Sequence, residues 1–335
     1  MTVRFGILST ARINDLFLAG VAGSDACDVL AVASRDAERG TAYARERGIE
    51  RAYPSYEELL ADDDVDAVYI SLPNSLHLDW TARALAAGKH VLCEKPLGRR
   101  ASEVEAAFDA AQRADRLLME AFMYRHHPQT ARILEMVAGG AIGRLRLIRA
   151  AFSFPLGDAA DVRLRAGLDG GALMDVGCYC VSAARLLAGE PVAVAGEQVV
   201  GGDGVDVVFV GSLRFSDDVL AHFDCGMALA NRHDLEVVGE HGSLRVADPW
   251  HCRTPGIELR RGGDVETVEV PAADAYRLEA EDLAAAIRGE RTPLLGRADA
   301  VGQARTIEAL YASAAGGAVA DAGTSASAPV TPPTP

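Results

Sequence analysis

Apolar strand-like runs alternate with helical patterns over residues 1–122, and this alternation constrains the fold more than any other feature of the sequence. The strand-like runs are VRFGILS, CDVLAVAS, AVYISLP, HVLCEK and LLMEAF. Apolar strands spaced by helices are typical of βαβ units, which build a parallel sheet covered on both faces. Because such crossovers are right-handed, we predict a doubly wound, Rossmann-like α/β domain over residues 1–123.

The pattern changes after residue 123. Two helical segments and a strand lead into alternating strands from about residue 191 to residue 270. Polar turns at residues 216–218 and 240–242 predict hairpins there. We therefore predict an α+β domain over residues 124–315, with a large, mostly antiparallel sheet that is open on one face. Residues 316–335 are rich in Ala, Gly, Ser, Thr and Pro, which predicts a disordered tail.

The formal net charge of −15 limits the partners of the protein. An acidic surface repels nucleic acid and anionic membrane, so we expect neither as a partner. No apolar run approaches a membrane span, and the start MTVRFGILS lacks a signal-peptide layout, so we expect a cytoplasmic protein. The six scattered cysteines fit reduced thiols, and Cys178 and Cys180 have the wrong spacing for zinc, so we expect no metal.

The first strand-to-helix turn, GILSTARIN, bears on whether the first domain can hold a dinucleotide. A glycine-rich fingerprint lets backbone N–H groups approach a pyrophosphate, but here Ser9, Ala11 and Asn14 hold the three glycine positions. The match is poor, although small residues keep the close approach open. The candidate cofactor contacts in this turn are Ser9, Thr10, Ala11, Arg12 and Ile13.

The end of the second predicted strand favours NADP over NAD. An acidic residue there would bind the ribose 2′-hydroxyl of NAD, whereas an arginine accommodates the 2′-phosphate of NADP. The sequence instead has Ser34 and Arg35, with Arg39 one helical turn later. A hydroxyl and guanidinium donors suit a phosphate dianion. Alternatively, Asp36 marks this segment as a solvated helix N-terminus.

The stretch VLCEKPL ends an apolar strand with a charged pair. Glu94 and Lys95 are of types that are rarely buried, and Pro96 ends the strand because it cannot donate a hydrogen bond. Open α/β sheets place ligands at the carboxyl ends of their strands, so the pair is a candidate ligand contact. Taken alone, the tripeptide is better explained by two surface charges and a turn proline.

Together these segments resemble the Gfo/Idh/MocA family of nicotinamide-dependent sugar oxidoreductases, from residue 3 to about residue 315. The EKP tripeptide after GKHVL is the most specific element of the resemblance. The other segments that carry it are GILSTARIN, AVASRD, SLPNSLHLDW, MEAFMYRHHPQ, DGGALMDVGCYCVS and LEVVGEHGSLRVADPW.

The resemblance implies that Lys95 is the catalytic lysine beside the nicotinamide and that Glu94 borders the cofactor. It also implies a cis peptide between Lys95 and Pro96. A further set of residues would line the cofactor site near the nicotinamide ribose: Leu72, Pro73, Asn74 and His77. Asn74 is alternatively, or also, the cap of the next helix.

Many members of the family carry Asp-x-x-x-His on the first helix of the second domain, and here tyrosine replaces the histidine. This variant resembles the dihydrodiol dehydrogenase, xylose dehydrogenase and deoxysugar ketoreductase branch, which implies that Tyr179 moves the proton and that Asp175 helps to hold hydroxyls. At a spacing of four, the two side chains would share one helix face. We expect Lys95 to lower the pKa of Tyr179. The alternatives are a core aromatic and a helix-end charge.

Three arginines are candidate substrate contacts: Arg125, Arg163 and Arg165. Arg125 lies at the predicted domain junction, where pockets tend to form, but it also fits a polar junction. Arg163 and Arg165 precede a Gly-Gly turn and would bind a phosphate, or they are simply solvated.

We therefore predict an NADP(H)-dependent oxidoreductase that transfers a hydride between nicotinamide and a carbinol or carbonyl carbon of a sugar, sugar derivative or cyclic diol. One alternative is a reductase of a nucleotide-linked deoxyketosugar. Another is a non-catalytic NADP-binding sensor, which would have no need for Lys95, Asp175 and Tyr179 together. The open sheet and the resemblance predict a homo-oligomer, a dimer or a tetramer.

Overall fold

The computed structural model describes residues 1–316 and 320–321. In the first domain, six strands form one sheet: β1 (Val3–Leu8), β2 (Cys27–Ala33), β3 (Arg51–Tyr53), β4 (Ala67–Ile70), β5 (His90–Glu94) and β6 (Leu118–Ala121). All neighbours are parallel, in the order β3-β2-β1-β4-β5-β6. The order reverses between β1 and β4, so a cleft for a ligand opens at their carboxyl ends. The Rossmann prediction is confirmed, but the short β3 was not predicted.

The helices of the first domain cover both faces of this sheet. They are α1 (Asn14–Val21), α2 (Ala37–Arg47), α3 (Tyr56–Leu60), α4 (His77–Ala86) and α5 (Ala101–Ala114). Every residue of β4 is buried, and only one residue of β1 is partly exposed, which explains their continuous apolar sequences. The Asp36 side chain caps α2 by accepting a hydrogen bond from the backbone N–H of Arg39.

The second domain contains α6 (Pro128–Ala138), α7 (Cys178–Ala188), α8 (Ala275–Ile287) and α9 (Arg297–Gly316). The last two helices return to the first domain, where α8 packs on α1 and α9 packs on α5. The two domains therefore share a packed boundary beside the cleft.

A second sheet holds nine strands within the described residues: β7 (Leu145–Pro155), β8 (Ala193–Val200), β9 (Asp206–Arg214), β10 (Leu220–Gly226), β11 (Ala228–Gly239), β12 (Ser243–Val246), β13 (Ile257–Arg261), β14 (Asp264–Val268) and β15 (Ala320–Asp321). Their order is β14-β13-β12-β11-β7-β10-β9-β8-β15, and only the β7–β10 pair is parallel. Both predicted hairpins are present, as β9–β10 and β11–β12.

One face of this sheet packs against α7 and α9, and the other is exposed. Alternate residues of β9 and β10 point outward, including Val210 and Leu220, whose exposed fractions are 51% and 52%. The predicted open face is therefore present.

The tail predicted as disordered, residues 316–335, lies mostly outside the described residues. Within it, Ala320–Asp321 pair antiparallel with residues 193–194 of β8. All six cysteines are free and buried. Within the described residues, one helical run, Ala166–Ala188, has the length and hydropathy of a membrane span, and 78% of its apolar window is buried inside the fold.

Candidate active site

A cavity of about 800 Å³ lies where the two domains meet, beyond the carboxyl ends of β1, β4 and β5. Most of the predicted cofactor contacts line it: Ser9, Thr10, Ala11, Arg12, Ile13, Arg35, Arg39, Leu72, Pro73, Asn74, His77, Glu94 and Lys95. The predicted residues Asp175, Tyr179 and Arg163 line it as well, whereas Ser34, Arg125 and Arg165 do not.

The first turn has a glycine-like backbone although it lacks the glycine. Ser9 has a φ of 138°, in the region that glycine favours. Its hydroxyl lies 2.8 Å from Ser71 Oγ and accepts a hydrogen bond from the Ala11 N–H at 3.1 Å. Asn14 Nδ2 donates to the Ser9 carbonyl at 3.0 Å. Side-chain hydrogen bonds hold the tight turn here, and the small residues leave space for a pyrophosphate.

At the end of β2, Arg35 and Arg39 line the cavity. Within the described residues, neither guanidinium has a carboxylate within ion-pair distance, so both are available to an anionic ligand. Ser34 is different, because it is only 1% exposed and does not line the cavity. Its hydroxyl accepts hydrogen bonds from the Asp36 N–H and from Arg39 Nη2, at 3.2 and 3.5 Å. The structure thus places Ser34 beneath Arg39, away from any direct ligand contact.

The segment after β4 is held by carbonyl contacts. The buried His77 ring lies 2.9 Å from the Pro96 oxygen through Nδ1 and 2.8 Å from the Leu72 oxygen through Nε2. Both ring nitrogens are occupied by backbone, so His77 braces the turn that carries Lys95. Asn74 Nδ2 donates to the Asp169 carbonyl at 2.9 Å, which links the two domains.

The charged pair at the end of β5, Glu94 and Lys95, lines the cavity. The Lys95–Pro96 peptide is cis, as the resemblance implied. Lys95 Nζ donates to the Asp175 backbone oxygen at 2.7 Å and to Asp175 Oδ1 at 3.2 Å. Burial alone would lower the pKa of Lys95, but Asp175, Cys178 and Glu94 outweigh it, and the pKa is raised. Lys95 is therefore a buried ammonium.

Asp175 belongs to a π-helical turn, Leu173–Gly177, and α7 begins only at Cys178. The helix on which Asp175 and Tyr179 were predicted to lie therefore begins with a π turn. A Cβ at Gly177 would lie 2.6 Å from Cys225 Sγ, so the turn packs directly on β10. Such π turns are frequent at functional sites. Here the turn directs the backbone oxygen and the carboxylate of Asp175 towards one ammonium.

The carboxylate of Asp175 lies between two cations. Its Oδ2 is 3.2 Å from Arg163 Nε, while Oδ1 faces Lys95. Arg163 also lies 3.6 Å from Asp161. Asp175 was predicted to hold substrate hydroxyls, but its contacts in the structure are with basic side chains. The contacts that the structure shows for its carboxylate are therefore with Lys95 and Arg163.

Tyr179 is 7% exposed, with Phe122 and Phe152 packed edge-on at ring distances of 5.4 and 5.3 Å. Lys95 Nζ lies 5.0 Å from the centre of its ring, and the hydroxyl faces Met123 Sδ at 3.6 Å. Burial raises the pKa of Tyr179 well above its ordinary value. The expectation that Lys95 lowers this pKa is wrong for this structure, because the ammonium lies over the ring and not at the hydroxyl.

The two arginines outside the cavity have other partners. Arg125 Nη1 donates to Ser182 Oγ and Asp299 Oδ1, both at 3.2 Å, in a nearly buried ion pair. Arg165 is exposed and donates to the Ala159 carbonyl at 3.2 Å. The structure therefore places neither arginine at the substrate position predicted for it.

The residues on one wall of the cavity were not predicted from the sequence. They are Phe152, Phe154, Asn231, His233, His251, Arg253 and Tyr276. Phe152 of β7 and His233 of β11 are directly paired across neighbouring strands, although 81 positions separate them in the sequence. Only the sheet topology brings these residues together. No local pattern distinguished them from ordinary strand residues.

Comparison with known proteins agrees with this geometry. A model of an oxidoreductase family with an NAD-binding Rossmann fold matches residues 3–122, and a model of the GFO/IDH/MocA C-terminal domain matches residues 130–245. The chain belongs to the Gfo/Idh/MocA oxidoreductase family. The predicted family and the prediction of an enzyme are therefore both confirmed.

Three relatives illustrate the range of this family. A D-xylose 1-dehydrogenase (NADP(+)) from Haloferax volcanii is 42% identical over 95% of this chain and 99% of its own. A trans-1,2-dihydrobenzene-1,2-diol dehydrogenase from Danio rerio is 34% identical over 82% of each chain. The crystal structure of a 3-ketoreductase from Actinomadura kijaniata with NADP and TDP-benzene superposes with a TM-score of 0.89, at 32% identity over 93% of this chain and 98% of that one.

Proposed function

We propose that the protein is an NADP(H)-dependent oxidoreductase that exchanges a hydride with a carbinol or carbonyl carbon of a sugar, sugar derivative or cyclic diol. The observation that carries the proposal is the buried Lys95 ammonium, with Asp175 and Tyr179 beside it in a cavity that begins at the nucleotide-binding turn. Family membership gives the class of reaction, and these residues are our proposal for where it takes place.

The cavity fits a dinucleotide phosphate. The turn at Ser9–Ile13 would hold the pyrophosphate, and Arg35 and Arg39 would hold the 2′-phosphate. Two relatives carry the same preference, since the xylose dehydrogenase is NADP⁺-dependent and the ketoreductase binds NADP. The prediction of NADP is confirmed. When bound, the nicotinamide supplies the site that accepts or donates the hydride.

The protein's own groups must move the proton and stabilise charge. In the reduction direction the neutral Tyr179 phenol would donate its proton to the carbonyl oxygen as the hydride reaches the carbon, and in the reverse direction the resulting phenolate would take the proton of the carbinol hydroxyl. The Lys95 ammonium would stabilise the negative charge that develops on the substrate oxygen while the proton and the hydride are transferred. Because the buried phenol is a weak acid, Tyr179 would exchange its proton only when a polar substrate displaces the apolar contact with Met123.

A second candidate function is the reduction of a nucleotide-linked deoxyketosugar. The Actinomadura ketoreductase, a structural neighbour, holds TDP-benzene beside NADP. A non-catalytic sensor receives less support, because a sensor needs no buried lysine next to a proton donor.

We also propose a homo-oligomer, a dimer or a tetramer, assembled through the exposed face of the nine-stranded sheet, where Val210 and Leu220 stand outward. The six free, buried thiols suit a reducing, cytoplasmic compartment. The acidic net charge of −15 disfavours nucleic acid and anionic membrane as partners.

The proposal is tested by the absorbance of reduced nicotinamide. The purified protein is mixed with NADP⁺ or NAD⁺ and a panel of aldoses and cyclic diols, and separately with NADPH and a TDP-linked ketosugar. We expect turnover of a free aldose or diol with NADP⁺ in preference to NAD⁺. Turnover of the TDP-linked ketosugar alone would favour the second candidate. Tight NADPH binding without any turnover would favour the sensor.

A further inference from the structure

Two histidines on the unpredicted wall of the cavity contact one another. Nδ1 of His233 and Nδ1 of His251 lie 3.1 Å apart, and the ring centres are 4.8 Å apart. Both residues line the cavity. Within the described residues, neither Nε2 atom has a hydrogen-bond partner. The pair is therefore a polar element of the cavity that the proposed proton and hydride chemistry does not use.

The Nδ1–Nδ1 contact determines which hydrogen-bonding groups the pair presents to a ligand. Burial, followed by the neighbouring cations, lowers the pKa of His251 to about 4, and burial lowers the pKa of His233, so both rings are neutral at neutral pH. A neutral imidazole carries one N–H. If one Nδ1 donates to the other, the acceptor ring must carry its proton on Nε2, and the donor ring must have a lone pair there. Whichever ring donates, the pair offers one Nε2 donor and one Nε2 acceptor.

A bound cation is the competing explanation, because Asp248 joins the two histidines in a group whose ligand atoms lie within 4.8 Å of one another. Two observations oppose it. The Asp248 carboxylate already accepts hydrogen bonds from the N–H groups of His251, Arg253 and Thr254. The positive charges of Arg253 and Lys95 act on His251, and they would repel a metal ion.

Phe152 lies between the histidine pair and Tyr179, and it contacts both. Phe152 packs against Tyr179 at 5.3 Å and against His251 at 5.5 Å, ring centre to ring centre. A small ring-shaped substrate with its reacting carbon at Tyr179 would extend along Phe152 towards the histidines. Aromatic surface beside hydroxyl-binding groups suits a saturated ring that carries hydroxyls on its edge.

We propose that His233 and His251 form a diol-binding pair, in which two neighbouring hydroxyls of the substrate bind the two Nε2 atoms, one hydroxyl as acceptor and one as donor. This inference rests on the proposed function in assuming that the reacting carbon lies at Tyr179. It makes the pair a determinant of specificity: a vicinal diol is selected over a ligand with a single hydroxyl, because a single hydroxyl leaves one of the two half-buried Nε2 atoms without a hydrogen-bond partner.

The test measures binding and needs no turnover. The enzyme–NADPH complex is titrated with vicinal trans-cyclohexanediol and with cyclohexanol, and NADPH fluorescence reports the dissociation constants. We expect the diol to bind about tenfold more tightly than the alcohol, as one or two net hydrogen bonds allow. His233→Phe and His251→Phe should each reduce this ratio to about one to threefold. The control His222→Phe, on the exposed sheet face, should keep the full ratio.

Three results would overturn the inference: equal binding of diol and alcohol by the wild type, a full diol preference in both cavity variants, or stoichiometric Zn²⁺ binding in equilibrium dialysis that either variant abolishes. NADPH affinity within about threefold of wild type shows that a variant is folded, because the nucleotide turn belongs to the first domain and the pair to the second. Diol preference without turnover of any sugar would leave the pair in place and refute the proposed function. Sugar turnover without diol preference would support the proposed function and refute the diol-binding pair.

Discussion

Lys95 Nζ lies 2.7 Å from the backbone oxygen of Asp175 and 3.2 Å from its carboxylate, so one hydrogen-bonded contact joins the end of β5 to the π turn before α7. The two residues come from different domains and are 80 positions apart in the sequence. The contact holds a positive charge in the wall of the cavity, 5.0 Å from the centre of the Tyr179 ring.

Replacing Lys95 with methionine tests this contact directly. Lys95→Met keeps an unbranched side chain that is one atom shorter but removes the ammonium, leaving the Asp175 carboxylate paired only with Arg163. We expect kcat to fall about 10²- to 10³-fold, as for the loss of one group that stabilises a developing oxyanion. The dissociation constant of NADPH, measured by fluorescence, should change less than about threefold. A kcat within twofold of wild type would contradict the assigned role.

Cofactor preference should depend on Arg35 and Arg39. Arg35→Ala and Arg39→Ala should each lower kcat/KM for NADP⁺ about 10- to 100-fold, because each removes a charge-assisted hydrogen bond to the 2′-phosphate. The value for NAD⁺ should stay within about threefold, since NAD⁺ lacks this phosphate. Initial rates with both cofactors measure the effect. An equal loss for both would show that the arginines bind a shared part of the dinucleotide.

The backbone of Ser9 predicts an order of stability for two small substitutions. With φ at 138°, alanine would keep the unfavourable conformation and lose the hydroxyl's hydrogen bonds, whereas glycine would lose only the hydrogen bonds. We expect Ser9→Gly to be more stable than Ser9→Ala by about 1 kcal/mol in urea unfolding. The reverse order would show that this φ is not a property of the native turn.

Glu120 should make stability depend on pH. Its carboxyl is buried and accepts one hydrogen bond, at 2.7 Å from the Leu97 N–H, while Oε2 has no partner among the described residues. Burial raises its pKa from 4.5 to about 8. Because the folded-state pKa is above the unfolded one, the stabilisation by the protonated group is complete below about pH 4.5 and is lost as the pH rises through about 8.

Glu120→Gln removes this titration and keeps the acceptor for the Leu97 N–H. Between pH 5 and pH 8.5, the unfolding free energy of the wild type should fall by about 3 kcal/mol more than that of the variant. Urea unfolding at the two pH values measures it. The matched control Glu197→Gln, at an exposed position of β8, should show no such change. A wild type and Glu120→Gln variant with parallel pH profiles would contradict the raised pKa.

The fold was predictable where the sequence has a clear period. Buried parallel strands gave continuous apolar runs, and hairpin turns such as residues 216–218 marked the antiparallel sheet. The strand β3 was missed because its three residues, Arg51–Tyr53, carry no apolar run. The π turn was missed because it depends on contact between Gly177 and Cys225, which a local pattern does not reveal.

Site residues could be predicted from the sequence only where they belong to a recognisable motif. Lys95 was predicted from the family resemblance of its strand-end motif, and Tyr179 from its spacing after Asp175 within the same family pattern. His233 and His251 had no such signal, since they meet through the pairing of β7 with β11 and a loop after β12. Arg125 was assigned to the substrate from its place at the domain junction, but the structure pairs it with Asp299.

The measurement that tests the central claim most directly is the fate of the transferred hydrogen. An aldose or diol deuterated at its reacting carbon is incubated with NADP⁺ and with wild type, Lys95→Met or Tyr179→Phe, and mass spectrometry follows deuterium into the reduced cofactor. We predict stoichiometric transfer by the wild type, and rates at least about 100-fold lower for both variants with NADPH binding retained. Transfer at the wild-type rate by either variant, or binding of NADPH without transfer from any aldose or diol, would contradict the account.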